Sequence, residues 1–430
     1  MFALLTALVS CGAQFYVMAP LDVWINYPNF KDEGKINWYL DQMRNAGVDG
    51  IMIDVWWGFC EKTSKNYDFS GYKTFFAKIK DRGMKIIPVM SFHQCGGNVG
   101  DTCSILLPDF VRSSSKCPFF KDQNGRIDYE YISFAYDNVV IPEAGSRTPL
   151  QMYNDFFTSF KNTFSSYIND GTIIEIEVGT GPCGECRYPS YQQSQGWVYP
   201  GCGSFQSYDD QFVAQLKTAA NNAGHPDYAH NPYNVGDFNV RPGQSQFWQD
   251  GADGSWNSNY GQWFIRWYAG VLNTHTGDVL KLARNVFSSI KLSTKIAGIH
   301  WWYMYSCHCA ETTAGFNNFI FYDGYRDLIS QFQKYQIDVC FTCLEMTADS
   351  GNGSNPPYLV QQILSDTAAY GLDFEGENAL PVYDWGSYSR ILGWVSKGLT
   401  AFTYLRMDDT LMQDNNYNTF KAFVNNMHNA

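Results

Sequence analysis

The amino-acid sequence predicts an α/β protein built as a single (β/α)8 TIM barrel, and three observations support this prediction. Eight runs of β-branched and aromatic residues have the length of buried strands, helix-like segments separate several of them, and almost every run ends in a polar side chain. A doubly wound open sheet is the alternative. It is disfavoured because the first run leads into Pro20-Leu21-Asp22-Val23-Trp24, which has no glycine for a dinucleotide-binding turn.

The predicted elements alternate along the chain. The predicted strands are residues 15–21, 50–55, 85–92, 173–178, 295–299, 336–343, 370–374 and 401–405. The predicted helices are residues 36–46, 72–82, 149–168, 208–223, 277–290, 325–335 and 358–369. Long gaps follow the third and fourth strands, so we expect long βα loop excursions there. These excursions either build a pocket over the barrel face or decorate its periphery.

Composition is typical of a compact globular protein with a sizeable core. The chain has 430 residues, of which 17% are charged and 17% are aromatic, and nothing in it indicates disorder. The net charge is −12 and no run of Lys and Arg occurs, so binding to nucleic acid or to an anionic membrane is not expected. No internal stretch approaches the roughly 18 apolar residues of a transmembrane helix.

The first 13 residues predict a secretory signal peptide, because an apolar core is followed by small residues up to Ala13. A buried first helix is the alternative, since no basic residue precedes the core. Twelve cysteines and the Asn-Gly-Ser triplet at Asn352 agree with secretion, or with retention in the secretory pathway or lysosomal-type vesicles. A bridge between Cys95 and Cys103 would pin about eight residues and contribute roughly 2–3 kcal/mol. Zinc at Cys307-His308-Cys309 or at Cys340 to Cys343 is disfavoured, since no second pair follows at finger-like spacing.

Polar side chains at the predicted strand ends would meet at one face of the barrel. They are Asp22, Asp54, His93, Glu185, His300, Thr342, Glu377 and Arg406. Carboxylates for acid and base chemistry, together with neutral groups for hydroxyls, indicate a carbohydrate site. Four neighbouring indoles could cover the apolar faces of sugar rings, namely Trp56, Trp57, Trp301 and Trp302. Taken alone, Glu185 would more often be a surface partner of Arg187.

Seven motifs in order make the chain resemble the β-amylase family. They are GIMIDVWWG at 50–58, FHQCGGNVGD at 92–101, GECRYPSY at 184–191, GIHWWY at 298–303, FTCLEM at 341–346, GENALP at 376–381 and TYLR at 403–406. The resemblance implies the same barrel and an enzyme that hydrolyses α-1,4-glucosidic bonds in starch, glycogen or maltooligosaccharides. Such an enzyme (EC 3.2.1.2) releases β-maltose from non-reducing ends with inversion, and no cofactor or metal is expected. Some relatives hold a calcium ion, for which Glu61 and the stretch around Glu143 match only loosely.

The resemblance also implies roles for individual residues. Glu185 matches the general acid and Glu377 the general base, which inverting hydrolysis places roughly 6.5–9.5 Å apart to admit water. Substrate-binding or site-supporting positions match Asp54, His93, Asp101, Lys295, His300, Thr342, Asn378, Leu380 and Arg406. Asp101 ends a glycine-rich lid. Glu345 is expected to shape the inner loop, and Glu375 to be structural.

Some features depart from the family pattern or leave alternatives open. Cys183 and Cys186 flank the acid where small or apolar residues are usual, and either could pair with Cys202 or remain free. We expect one catalytic domain over residues 14–430, without a separate starch-binding domain, acting as a monomer on α-1,4-glucans with maltose as product. The alternatives are a catalytically silent glucan-binding protein and a barrel glycosidase that acts on β-linked glucans.

Overall fold

The computed structural model describes residues 12–430, and eight parallel strands in it form a closed barrel. The strands are β1 (Gln14–Met18), β2 (Gly50–Trp56), β3 (Lys85–Ser91), β4 (Glu175–Val178), β5 (Lys291–Ile296), β6 (Asp338–Phe341), β7 (Phe374–Glu377) and β8 (Leu399–Tyr404). Each strand pairs with the next, and β8 pairs with β1 through Ala401 opposite Gln14. The predicted fold class is therefore confirmed. Residues 1–11, which hold most of the predicted signal peptide, lie outside the described residues.

One helix follows each strand on the outside of the barrel. The helices are α1 (Glu33–Ala46), α2 (Ser70–Lys80), α3 (Pro149–Asn169), α4 (Asn259–Val286), α5 (Gly324–Tyr335), α6 (Pro356–Ala369), α7 (Trp385–Val395) and α8 (Asp414–His428). Local signals fix several ends: Thr148 and Gln151 form a capping box at α3, and α1 ends at Gly47 with a φ of 84°. Within residues 12–430 no helix is both long and apolar enough to cross a membrane.

Several elements differ from the sequence prediction. Helix α4 begins at Asn259 rather than at residue 277, because the Ser258 side chain caps it at the end of the Gly/Asn-rich stretch. Strand β7 begins at Phe374, since residues 370–373 form the end of α6 and a turn at Gly371, where φ is 69°. Helices α7 and α8 were not predicted.

The two predicted excursions follow β3 and β4. The first contains the antiparallel pair Phe119–Lys121 and Ile127–Ile132, and the second contains the helix Asp210–Asn222. A disulfide between Cys202 and Cys309 joins the second excursion to the loop after β5. The same loop donates a hydrogen bond from Trp301 Nε1 to the Gly201 carbonyl at 2.9 Å. The second excursion therefore covers the face where the strands end, and is not peripheral.

The barrel interior has an apolar half and a charged half. Strands β1, β2, β3 and β8 contribute a small cluster consisting of Tyr16, Met18, Met52, Ile87, Val89 and Ala401. Strands β4, β5 and β7 contribute two charged layers, one with Glu175, Lys291 and Glu375, the other with Glu177, Lys295 and Glu377. The layers arise because side chains two residues apart on a strand share one face. Glu375 therefore pairs with Lys291, one layer below Glu377.

Candidate active site

Glu377 ends β7 inside the barrel, where its side chain is fully buried. Its Oε2 atom lies 2.7 Å from Lys295 Nζ, while the same ammonium is 3.6 Å from Glu177 Oε1. Burial raises the pKa of Glu377, and the positive charge of Lys295 opposes that rise. Burial also raises the pKa of Glu177 to about 7. One ammonium thus serves two buried carboxyl groups, and Glu377, being closer, is the better stabilised anion.

Glu185 lies on the second excursion rather than on a barrel strand. The two-residue strand Glu185–Cys186 pairs with the end of β5, which sets Glu185 opposite Lys295. Its carboxylate accepts a hydrogen bond from Arg187 Nε at 2.7 Å. The expected pair does form, but Arg187 is only 5% exposed and Glu185 17%, so the pair is not on the surface. Glu185 is also close enough for its charge to raise the pKa of Glu377.

The loop around Glu185 is held by Arg187 and by a buried carboxyl of the first excursion. Arg187 also donates to the Tyr188 carbonyl at 3.1 Å and to Cys183 Sγ at 3.4 Å. The Cys183 backbone N–H donates to Glu130 Oε1 at 3.0 Å. Cys183 and Cys186 are free thiols, since Cys202 pairs with Cys309. Hydrogen bonds, and not a disulfide, therefore fix this loop.

Asp54 lies near the C-terminal end of β2. Its Oδ1 atom accepts a hydrogen bond from Ser91 Oγ at 2.7 Å. Burial raises the pKa of Asp54, and the positive charges of Arg406 and Lys295 oppose the rise. Arg406 itself donates to the Ala19 carbonyl at 3.2 Å. The structure therefore brings Asp54, Arg406 and Lys295 into one electrostatic neighbourhood.

His93 and His300 are both buried near the strand ends. Burial lowers the pKa of His93 to about 3 and that of His300 to about 4. His300 Nδ1 lies 2.7 Å from Ser354 Oγ. Both imidazoles are therefore neutral at ordinary pH, and each has one donor and one acceptor nitrogen, as recognition of sugar hydroxyls requires.

The four tryptophans near the strand ends are not open platforms. Trp56, Trp57, Trp301 and Trp302 are all at most 6% exposed. The Trp56 ring lies edge-on to His93 with centroids 5.0 Å apart, and Trp301 lies edge-on to His300 at 5.6 Å. The expectation that these indoles cover sugar faces is therefore not met, because Trp56 and Trp301 pack against the histidines while Trp57 and Trp302 pack against other aromatic rings.

Glu345, from the loop after β6, and Asn378 hold the loop after β7 in place. The Asn378 amide donates to the carbonyls of Leu380 and Leu405 at 2.9 and 2.7 Å. Glu345 accepts hydrogen bonds from the backbone of Ala379 and Leu380. Glu345 thus shapes this loop and Asn378 braces it, while Leu380 stands half-exposed at the rim.

Thr342 and Asp22, both at predicted strand ends, have different surroundings. Thr342 packs over Gly298, where a Cβ atom would lie 2.5 Å from Thr342 Oγ1, so only glycine fits beneath it. Asp22 instead pairs with Lys31 at 2.6 Å, with half of the lysine side chain exposed. Asp22 therefore does not belong to the site.

Asp101 closes the glycine-rich lid on itself. Its Oδ2 atom accepts hydrogen bonds from the backbone N–H groups of Gly96 and Asn98 at 2.8 and 3.0 Å. Gly96 has a φ of 118°, a conformation that other residues rarely adopt. A disulfide between Cys95 and Cys103 joins the two ends of the loop. The lid is thus a cross-linked loop rather than a free one.

Glu61 and Glu143 are engaged by protein groups. Arg147 Nη2 lies 2.6 Å from Glu61 Oε1. The Glu143 carboxylate accepts hydrogen bonds from the hydroxyls of Ser114 and Ser115. Neither arrangement resembles the six to eight oxygen ligands of a calcium site.

The motifs singled out in the sequence do not include two buried residues, Glu177 and Cys340. Together with Glu377, they bring three ligand atoms within 4.8 Å of one another. The alternation of Glu175 and Glu177 along β4 is the sequence signal that could have identified the first. The spacing of Cys340 and Cys343 is a sequence signal for the second, but it was disfavoured because no second cysteine pair follows.

Comparisons with known proteins identify the family. The description "Glycosyl hydrolase family 14" applies to a family model that matches residues 16–430. The chain belongs to glycosyl hydrolase family 14. Family relatives include Beta-amylase 5 of Arabidopsis thaliana and Beta-amylase Tri a 17 of Triticum aestivum. Each is 41% identical over 435 residues, spanning 96% of this chain and 86% of the relative.

A solved structure of the same family has the same architecture. The catalytic domain of β-amylase from Paenibacillus polymyxa is 32% identical, with a TM-score of 0.80 over 95% of this chain and 97% of that chain. Family 14 membership makes the chain a glycoside hydrolase, as the motifs predict. Glu377 at the end of β7 and Glu185 on the loop paired with β5 lie within electrostatic range of each other.

Proposed function

We propose that this family 14 hydrolase is a β-amylase that cleaves α-1,4-glucosidic bonds in starch, glycogen or maltooligosaccharides and releases β-maltose from non-reducing ends. One observation carries the proposal: two carboxyl groups approach one cleft from different environments. Glu377 is buried against Lys295, and Glu185 lies on a loop beside Arg187. Relatives named as β-amylases at 41% identity support the substrate class.

In the proposed mechanism Glu377 is the general base. The Lys295 ammonium keeps its carboxylate ionised, so Glu377 takes a proton from water while the water oxygen bonds to the anomeric carbon. Glu185 is the general acid, and its proton goes to the glycosidic oxygen as the bond to the anomeric carbon breaks. Attack from the face opposite the leaving group inverts the anomeric centre and yields β-maltose.

Glu185 must be neutral to act as the acid, although it pairs with Arg187 in the free enzyme. The incoming glucan excludes water from the cleft and offers its glycosidic oxygen as a new partner. We infer that Glu185 turns from Arg187 to this oxygen as it takes up a proton. The pair with Arg187 is then the resting state of the acid.

The remaining site residues would bind and orient the glucan. Neutral imidazoles at His93 and His300 suit sugar hydroxyls, which are both donors and acceptors. The other groups that would bind glucan hydroxyls are the carboxylates of Asp54 and Asp101, the hydroxyl of Thr342 and the guanidinium of Arg406. Asn378 acts through the loop that it braces, and Leu380 offers an apolar contact at the rim.

The direct test is to incubate the purified protein with maltoheptaose and follow the anomeric protons by NMR. The expected first product is β-maltose, which then mutarotates. Glucose as the sole product, or α-maltose as the first anomer, would contradict the proposal. Parallel assays on cellooligosaccharides address action on β-linked glucans, and no hydrolysis is expected there.

We also propose that the enzyme follows a secretory route and acts as a monomer. The disulfides Cys95–Cys103 and Cys202–Cys309 support an oxidising compartment. Mass spectrometry of the exported protein should find a new N-terminus near Ala13, and light scattering should give a mass near that of one chain. Retention of residues 1–13, or a dimer mass, would contradict these proposals.

A further inference from the structure

We propose that Glu177, Cys340 and Glu377 form a binding site for a thiophilic divalent cation such as Zn²⁺, and that its occupation inhibits the enzyme. One ligand atom from each side chain lies within 4.8 Å of the other two, and all three residues are buried. Cation binding at this cluster does not depend on the proposed function. Only the inhibition rests on Glu377 being the general base.

The barrel brings the three groups together from separate strands. Glu177 lies on β4, Cys340 on β6 and Glu377 on β7. In the pairing of β5 with β6, Cys340 stands opposite Lys295. The three side chains therefore surround one level of the barrel interior, at the level of the Lys295 ammonium.

The carboxyl groups in this cluster have unused capacity for a cation. Among the described residues, neither oxygen of Glu177 has a hydrogen-bond partner, and nor does Oε1 of Glu377. Lys295 Nζ is 3.6 Å from Glu177 Oε1, which is beyond hydrogen-bond distance. A fully buried carboxyl group without a donor is rare in proteins. The carboxyl group of Glu177 is therefore free to act as a ligand for a metal ion.

The donor set fits zinc better than magnesium or calcium. Zn²⁺ binds thiolate sulfur at about 2.3 Å and carboxylate oxygen at about 2.0–2.2 Å, with three protein ligands and one water in open sites. Ligand atoms of such a tetrahedron are roughly 3.3–3.8 Å apart, so no pair of ligand atoms needs to approach by more than about 1.5 Å. A thiolate also selects thiophilic cations over Mg²⁺ and Ca²⁺.

Charge balance is compatible with this occupancy. Two carboxylates and the thiolate carry three negative charges, which the divalent ion and the Lys295 ammonium neutralise. The Cys340 proton leaves to solvent when the sulfur coordinates the metal. Coordination then engages Glu377 and prevents it from accepting a proton from water.

The test compares Zn²⁺ and Cd²⁺ binding in chelator-treated wild-type enzyme and three variants. Cys340→Ser and Glu177→Gln each remove one ligand, and Cys117→Ser is the matched control because Cys117 is a more exposed free thiol. Cd²⁺ titration reports thiolate coordination by ultraviolet charge-transfer absorption, and Zn²⁺ inhibition is measured with maltoheptaose. Calorimetry gives the Zn²⁺ affinity without any requirement for activity.

We expect one thiolate-bound Cd²⁺ per chain in the wild type and in Cys117→Ser, and none in Cys340→Ser. The Zn²⁺ affinity should fall at least about tenfold in Cys340→Ser and Glu177→Gln, since even an outer-shell change costs roughly 10- to 100-fold. Equal affinity and absorption in Cys340→Ser and wild type would overturn the proposal. Binding at Cys340 without inhibition of an active enzyme would exclude Glu377 as a ligand. An enzyme without maltose release would refute the proposed function and leave the binding result intact.

Discussion

The two carboxyl groups of the cleft are held in different ways. Glu377 belongs to a barrel strand, is fully buried, and pairs with Lys295 of another barrel strand. Glu185 belongs to an excursion, remains 17% exposed, and pairs with Arg187 two residues away on the same loop. The proposed base is thus part of the barrel framework, whereas the proposed acid is attached to it through a two-residue strand.

This difference agrees with the separate tasks of the two groups. A base that must stay anionic inside a protein needs a fixed cation nearby, because an unpaired buried charge is costly. An acid must change its protonation state and its partner during each cycle. A loop that can exchange Arg187 for the glycosidic oxygen suits that task better than a rigid strand.

The largest expected effect separates the two roles directly. Glu185→Gln and Glu377→Gln should each lower kcat on maltoheptaose by about 10²- to 10⁴-fold, the usual contribution of general acid or base catalysis. Fluoride leaves maltosyl fluoride without being protonated. The Glu185→Gln variant should therefore recover much of the wild-type activity on this substrate, whereas the Glu377→Gln variant should remain inactive on it. Recovery by both variants, or by Glu377→Gln alone, would contradict the assignment. Circular dichroism and thermal melts of both variants provide the folding control.

Replacing Lys295, the cation paired with Glu377 on the barrel strands, should have the next largest effect. In Lys295→Met, two buried carboxyl groups lose their shared cation, which costs roughly 3–5 kcal/mol of unfolding free energy unless protons are taken up. The pKa of Glu377 should rise further, so the base stays protonated to higher pH. The acidic limb of the kcat/KM profile should therefore move to higher pH, with kcat lowered about 100-fold. Lys295→Arg, which keeps the charge, should move this limb less, and an unchanged limb in Lys295→Met would contradict the role.

The same contrast explains what the sequence could and could not predict. The barrel was predictable because its strands are apolar runs that end in polar residues, and the period of two placed Glu375 and Glu377 on one face. Residues tied to their own strand end, such as Asp54 and His93, were likewise found. The shared cation could not be found by spacing alone, since Lys295 and Glu377 are far apart in sequence, and its assignment came from the resemblance.

The expectations that failed concern side-chain orientation and partner choice. Trp57 follows directly on β2, but its ring points into the core, because a bulky indole gains more by burial than by lining a wet cleft. Asp22 follows β1, but its carboxylate forms an ion pair with Lys31 on the same loop. The partner of Cys202 was open among several thiols and is Cys309, 107 residues away. Such choices depend on three-dimensional packing, and for Cys202 on a segment far away in sequence, which local patterns do not report.

A smaller effect is expected from removing Arg187, the cation paired with Glu185 on the loop. Arg187→Met should lower kcat about tenfold, because the guanidinium also holds Cys183 and the Tyr188 carbonyl. Without it, Glu185 loses the hydrogen-bond partner that fixes its side chain in the loop. The acidic limb of the kcat/KM profile should stay at its wild-type position, in contrast to Lys295→Met, because the Glu377–Lys295 pair is untouched. A shift of the acidic limb in Arg187→Met would break the distinction between the two pairs.

The smallest effect should come from the lid, whose disulfide lies within a loop and not in the barrel framework. The bridge Cys95–Cys103 spans 8 residues and Cys202–Cys309 spans 107, so the loop-entropy model assigns them about 2.5 and 4.8 kcal/mol. Cys95→Ser with Cys103→Ser should raise KM a few-fold with little change in kcat, because more open lid conformers compete with the closed one and the two carboxyl groups are untouched. Cys202→Ser with Cys309→Ser should lower the unfolding midpoint in urea more than the lid variant does. A larger loss of kcat in the lid variant than in Arg187→Met would mean that the lid, and not the acid loop, positions the proton donor.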